Sequence, residues 1–223
     1  GRWSRQEMTA HLGILGGMFD PVHVGHVKIA LAAKEFLNLD QVRLIPCNLP
    51  NHREQAICSP QQRLDMLRLA TGDYPFLVID DQELRREGKS YTVDTFSALQ
   101  ESFPNATLYF LLGMDAFASL PSWHRWRSLF DYCHFIVIRR PGFSETPPTA
   151  WLPEIQARLV QDKSELATGQ SGQVLVMDGL AQPLSSSLVR EKLRRGDSVR
   201  DFLTPAVADY LVQHQLYTNP TVN

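Results

Sequence analysis

Residues Gly13 to Leu37 read GILGGMFDPVHVGHVKIALAAKEFL. The opening Gly13-Ile14-Leu15 is apolar without polar alternation, the pattern of a strand covered on both faces. From Val24 to Leu37 the spacing turns helical. Strand, glycine-bearing connection and helix in that order make the first half of a parallel crossover unit, and the chain repeats the theme. Apolar runs recur at Val42-Ile45, Phe76-Ile79, Leu108-Leu112, Phe135-Ile138 and Val174-Met177. Between them fall helical patterns at Gln61–Ala70, opened by the cap-and-first-turn pair Ser59-Pro60, and at Thr92–Gln100. The expected fold is α/β: a doubly wound, mostly parallel sheet followed by C-terminal helices. Those helices span Ser185 to Tyr217, divided at Arg195-Gly196-Asp197 and restarted at Thr204-Pro205.

Residues 1–12 lack periodicity and read as an N-terminal tail. The Gly1-Arg2 start is compatible with an expression remnant, and Met8 with a native start. Residues 13–223 then form a single domain, with 141–173, richer in Pro, Ser, Thr and Gly, as a peripheral excursion. The 223 residues suffice for one sizeable core. With 43% hydrophobic and 21% charged residues and a net charge of -2, no global field argues for a nucleic-acid or membrane partner. No apolar run approaches the roughly 18 residues of a membrane span. Cys47, Cys58 and Cys133 are an odd number without a CxxC pair, which fits a reducing, cytoplasmic setting better than a disulfide framework or a zinc site. Oligomeric state is left open.

In an open parallel sheet ligands bind beyond the C-terminal strand ends, so the residues just after the first strand matter most. Gly16 and Gly17 allow backbone to approach a ligand, and His23 and His26, three apart at a helix start, project to one side. A helix N-terminus adds unpaired N–H groups and a positive dipole end, which suit phosphate oxygens. Neither the GxGxxG fingerprint nor a Gly-Lys-Ser/Thr loop is present. A lone Gly-Gly or a lone His would carry little; the string Gly16-Gly17-Met18-Phe19-Asp20-Pro21-Val22-His23-Val24-Gly25-His26 carries more.

That string resembles the GGxFDPxHxGH signature of the nucleotidyltransferase superfamily. Leu184-Ser185-Ser186-Ser187-Leu188-Val189-Arg190 is similar to its ISSTxxR element. The resemblance runs from about Gly13 to Tyr217 and points to the bacterial nicotinate mononucleotide adenylyltransferases, with their Rossmann-like fold. Supporting motifs are Pro46-Cys47-Asn48-Leu49-Pro50-Asn51-His52-Arg53, Ser90-Tyr91-Thr92, Gly113-Met114-Asp115, Pro121-Ser122-Trp123-His124 and Arg139-Arg140-Pro141-Gly142. Cys47, Asn51 and His124 depart from the usual pattern.

The resemblance implies transfer of the adenylyl group of ATP to nicotinate mononucleotide, with Mg²⁺ on the phosphates and no protein nucleophile. It implies catalytic roles for His23, His26 and Arg190. It places ATP on Gly16, Gly17, Met18, Phe19, Gly25, Arg53, Gly113, Asp115, Ser185, Ser186 and Ser187. The acceptor falls to His52, Ser90, Tyr91, Thr92, Trp123, His124 and Arg140, with the Trp123 ring stacked on the pyridine. Rival readings are an adenylyltransferase for nicotinamide mononucleotide or phosphopantetheine, and a nucleotide-sensing module without turnover. A class I aminoacyl-tRNA synthetase, which shares the HxGH element, is excluded because the chain has no room for a tRNA-binding domain.

Overall fold

The computed structural model describes residues 10–48, 56–140, 147–180 and 184–218. Seven strands, β1 (His11–Gly17), β2 (Gln41–Pro46), β3 (Leu77–Ile79), β4 (Thr107–Gly113), β5 (His134–Arg139), β6 (Leu159–Val160) and β7 (Val174–Asp178), form one sheet in the order β3-β2-β1-β4-β5-β7-β6. Every pair is parallel. Around the sheet lie α1 (Val24–Leu37), α2 (Pro60–Thr71), α3 (Gln82–Arg85), α4 (Thr92–Ser102), α5 (Met114–Ala118), α6 (Pro153–Gln156), α7 (Ser186–Arg195) and α8 (Pro205–Gln213).

The unalternated apolar runs follow from burial on both faces. Leu12 and Ile14 of β1 pack with Val93, Phe96, Leu99, Phe110 and Leu112 in one core. Leu15, the next residue along, belongs to the other core with Val42, Leu44, Leu111 and the α1 face Val27, Ala30 and Ala33. Ala30 and Ala33 are completely buried, so α1 lies close on the sheet at a spot where longer side chains would not fit.

Local chemistry sets the helix ends. Ser59 and Gln62 make a capping box ahead of Pro60, Thr204 caps α8 ahead of Pro205, and α7 stops at Gly196 with φ 76°. Such caps are worth about 0.5–2 kcal/mol each.

Two expectations shift. β1 begins at His11, inside the segment read as tail, because His11 N–H donates to Asp40 Oδ2 (2.6 Å) and its ring meets the Tyr109 hydroxyl (2.9 Å). The part of the excursion that is described is not merely peripheral: Trp151 and Ile155 are buried in the second core, and β6 adds an edge strand to β7. Its loop-like composition hid that i, i+4 apolar pair.

The strand order reverses between β1 and β4. β1 leads to β2 on one side, while β4 on the other leads to β5. The C-terminal ends of these two strands, Gly16-Gly17 and Leu112-Gly113, therefore flank the crevice where such sheets bind ligands.

Candidate active site

Two cavities meet over those strand ends. The larger, about 780 Å³, is lined by Gly16, Gly17, Met18, Phe19, Asp20, His23, Gly25, His26, Gly113, Asp115, Arg140, Ser185, Ser186, Ser187 and Arg190, among others. The smaller, about 320 Å³, is lined by Cys47, Glu83, Ser90, Tyr91, Thr92, Thr95, Phe110, Trp123 and His124. Leu15, Gly16, Gly17, Met18, Leu112, Gly113 and Ala116 border both. A Cβ on Gly113 would find no protein atom within 4 Å, and its φ of -69° suits any residue. Nothing in the fold demands glycine there, so the bare backbone serves whatever fills the cavities.

The histidines are set by the first turn of α1. His23 is the N-cap: its Nδ1 accepts from Gly25 N–H (3.0 Å), while its own N–H donates to His26 Nδ1 (3.0 Å). The rings stack with centroids 3.7 Å apart, and Phe19 meets His26 edge-on at 4.8 Å. Burial lowers the His23 pKa to about 4, and burial together with His23 holds His26 well below 6.5. Both rings are therefore neutral near pH 7. Since backbone N–H groups occupy each Nδ1, these partners assign the ring proton to Nε2 and leave two N–H donors for the cavity.

Gly25 is required by the same arrangement. Any Cβ there would lie 2.8 Å from His23 Cε1 and Nδ1.

The α7 side chains close the loop from the other flank. Ser186 Oγ donates to the Pro21 carbonyl (2.8 Å), and Arg190 Nη1 to the Asp20 carbonyl (2.8 Å). Arg190 Nη2 donates to Ser187 Oγ (3.2 Å), and Ser185 Oγ caps the helix by accepting from Leu188 N–H (3.1 Å).

In the smaller cavity the Tyr91 and His124 rings meet at 4.2 Å, which joins two motifs distant in sequence. Trp123 stands beside Phe110 at 6.1 Å, and its Nε1–H donates to Ser119 Oγ (3.1 Å). Tyr91, the N-cap of α4, makes no side-chain cap bond, and its carbonyl accepts from Asp94 N–H (3.1 Å).

The two cavities divide the described sequence-derived residues into two groups. Arg140, grouped above with the acceptor, lines the larger cavity and pairs with Asp115 at 3.2 Å. His52 and Arg53 lie outside the described residues.

Two further residues escaped the sequence reading. Arg63, 1% exposed, donates through Nη1 to the carbonyls of Met18 (3.0 Å) and Cys47 (2.7 Å), tying together the chain just beyond β1 and β2. Its signal was a charge in register with Leu67 and Ala70 on the buried face of α2. Glu83 is buried in the wall of the smaller cavity, where Oε2 accepts from Thr95 Oγ1 (2.9 Å) and burial pushes its carboxyl up to about 7. Nothing in the charged run 80–87 marks out Glu83 or Asp80, both buried, from their more exposed neighbours.

A cytidylyltransferase-like family model matches residues 14–192, and the chain belongs to this family of nucleotidyltransferases. Its relatives there are nicotinate-nucleotide adenylyltransferases. A chain named as a probable member from Aeromonas salmonicida is 42% identical over 94% of this chain and 98% of its own length. One from Halorhodospira halophila is 37% identical over 94% and 96%. Among solved structures, the nicotinic acid mononucleotide adenylyltransferase of Plasmodium falciparum complexed with NaAD superposes with a TM-score of 0.71 at 20% identity. That match covers 93% of this chain and 97% of the other, and supports the shared fold.

Proposed function

We propose that this chain transfers the adenylyl group of ATP to nicotinate mononucleotide in NAD biosynthesis, giving nicotinate adenine dinucleotide and pyrophosphate. The observation that carries the reading is the pair of cavities abutting at Gly16, Gly17 and Gly113, one walled by phosphate-binding groups and the other by aromatic rings. A phosphate oxygen of the acceptor attacks the α-phosphorus of ATP, a new P–O bond forms, and the bond to the β-phosphate breaks with its electrons on pyrophosphate. Such transfer depends on positioning and charge stabilisation rather than on a protein nucleophile. The Nε2–H groups of His23 and His26 donate to phosphate oxygens, and Arg190 and the α7 N-terminus take the charge that grows on the leaving group. Asp115 accepts from the ribose hydroxyls of the adenylate, with Arg140 holding its carboxylate at 3.2 Å.

Mg²⁺ is the ion we assign to the ATP phosphates. Among the described residues no three His, Cys, Asp or Glu side chains converge, and both oxygens of Asp20 already accept hydrogen bonds. A metal carried in on the triphosphate is compatible with this donor set, where it would neutralise phosphate charge. Residues 13–223 act as one domain in this reading. Among the described residues no helix is long and apolar enough to cross a membrane. Cys47, Cys58 and Cys133 are joined by no disulfide, and their odd number without a CxxC pair supports placement in the cytoplasm.

The acceptor ring stacks on Trp123, which treats acid and amide alike, so selection falls to the substituent. The uncapped start of α4 offers N–H donors, which a carboxylate accepts with both oxygens and a carboxamide with only one. Hydrogen bonds to a charged partner are worth about 1.5–3 kcal/mol, or roughly 10- to 150-fold in kcat/KM. The test is pyrophosphate release with ATP and Mg²⁺ against nicotinate mononucleotide, nicotinamide mononucleotide and phosphopantetheine. Equal values for acid and amide would sink the nicotinate assignment; no release with any acceptor would favour a nucleotide sensor.

A further inference from the structure

The turn bearing the histidine pair adopts a conformation that its own residues do not favour. Phe19 sits at φ 50°, where a bulky residue persists only when its surroundings impose it. Part of that constraint comes from Arg63, Ser186 and Arg190, which hold the carbonyls of Met18, Pro21 and Asp20. The rest comes through the Asp20 carboxylate, which is 3% exposed. Its Oδ2 accepts from Ile57 N–H (2.7 Å), and its Oδ1 from Cys58 N–H (3.2 Å) and from the Tyr217 hydroxyl. A carboxylate this deep requires its donors. Two are backbone groups ahead of α2; the third is a phenol 197 positions along the chain.

The placement of that phenol is itself imposed. Gln215 (φ 52°) and Tyr217 (φ 60°) both lie in the left-handed region, and Leu216 N–H folds back onto the Leu211 carbonyl (3.0 Å). Two unfavourable backbone conformations within three residues bring one hydroxyl to Asp20. Strain retained at such a point marks a contact with a role. Tyr217 lines neither cavity; its hydroxyl meets the Asp20 carboxylate and the Cys58 thiol, and of these two only Asp20 belongs to the turn that carries the histidines.

We infer that Tyr217 is a positioning residue for adenylyl transfer: its O–H fixes Asp20, and through Asp20 the Phe19–His23 turn that places the two imidazoles. The inference rests on the transfer reading and extends it, making the segment after α8 part of the active site. Burial and the Asp20 carboxylate push the phenol pKa upward, so the hydroxyl remains a donor at neutral pH.

Tyr217→Phe removes one oxygen and keeps the ring. Misplacing reacting groups by about 1 Å costs on the order of 10² in rate, so kcat should fall at least roughly tenfold while both KM values stay within about twofold. In ¹⁵N NMR the ring signals of His23 and His26 should move. Those of His134, held in β5 by the Ala167 carbonyl (2.9 Å), should not. Tyr217→Phe added to Asp20→Asn should cost nothing beyond Asp20→Asn alone. A kcat within twofold of wild type would overturn the assignment. So would losses spread over both KM values together with shifted His134 signals, which mean a general structural defect. If the wild-type chain adenylylates no pyridine mononucleotide, the transfer reading fails instead, and the His23 and His26 signals still decide whether Tyr217 positions them.

Discussion

Replacing Gly25 by Ala puts a methyl group 2.8 Å from Cε1 and Nδ1 of His23 and 3.1 Å from Leu184 Cδ2. Ordinary carbon contacts lie at about 3.5–4.0 Å, so the ring has to retreat by about 0.7–1.2 Å. His23 is buried and borders the larger cavity, so any retreat moves its ring relative to whatever occupies that cavity. Its retreat breaks the 3.0 Å bond from Gly25 N–H and disturbs the 3.7 Å stack on His26. On stability the effects oppose each other. Losing the cap bond costs about 0.5–2 kcal/mol, while alanine gains up to about 1 kcal/mol over glycine in the helix. The net change should stay within about 1 kcal/mol. Catalysis has no such offset, because a displacement near 1 Å lowers the rate about 10²-fold, or about 2.7 kcal/mol. The assay is steady-state pyrophosphate release at saturating ATP and acceptor, run beside urea unfolding. A variant with an unchanged urea midpoint and kcat within threefold of wild type would refute the claim that imidazole placement limits the reaction.

Arg190→Lys keeps the charge but loses the fork that now spans the Asp20 carbonyl and Ser187 Oγ. We expect kcat/KM for ATP to fall about 10- to 150-fold, and a defect confined to the acceptor KM would put this arginine on the wrong side of the site. Acid should destabilise the fold through His23, whose pKa drops from 6.5 to about 4 on folding. A depressed pKa contributes stability that is present above pH 6.5 and lost as pH falls towards 4, here roughly 2–3 kcal/mol. Glu83, raised from 4.5 to about 7, works the other way: its contribution is present below pH 4.5 and disappears as pH rises through 7. Urea unfolding between pH 4.5 and 7.5 should therefore show a shallower acid loss in His23→Gln and a steeper one in Glu83→Gln, and parallel curves for all three proteins would discard both assignments.

Whatever depends on neighbours along the chain was legible before any coordinates. Six strands announced themselves as unalternated apolar runs, because a parallel sheet covered on both faces leaves no solvent side for polar residues. Ser59-Pro60 and Thr204-Pro205 marked helix starts because a cap acts within one turn. His23, Gly25 and His26 interlock within four residues, so their string alone carried the family resemblance. Only the tertiary structure decided where charge is buried and which cavity a side chain serves. Arg140 lines the larger cavity because β5 ends beside Asp115, a neighbour that spacing does not reveal. Arg63, Glu83 and Tyr217 look like ordinary surface residues in sequence. Contacts from 12 to 197 positions away supply their partners, and packing buries Arg63 and Glu83. Periodicity and capping are short-range and written in adjacent residues, whereas burial and electrostatics come from packing segments that the one-dimensional pattern keeps apart.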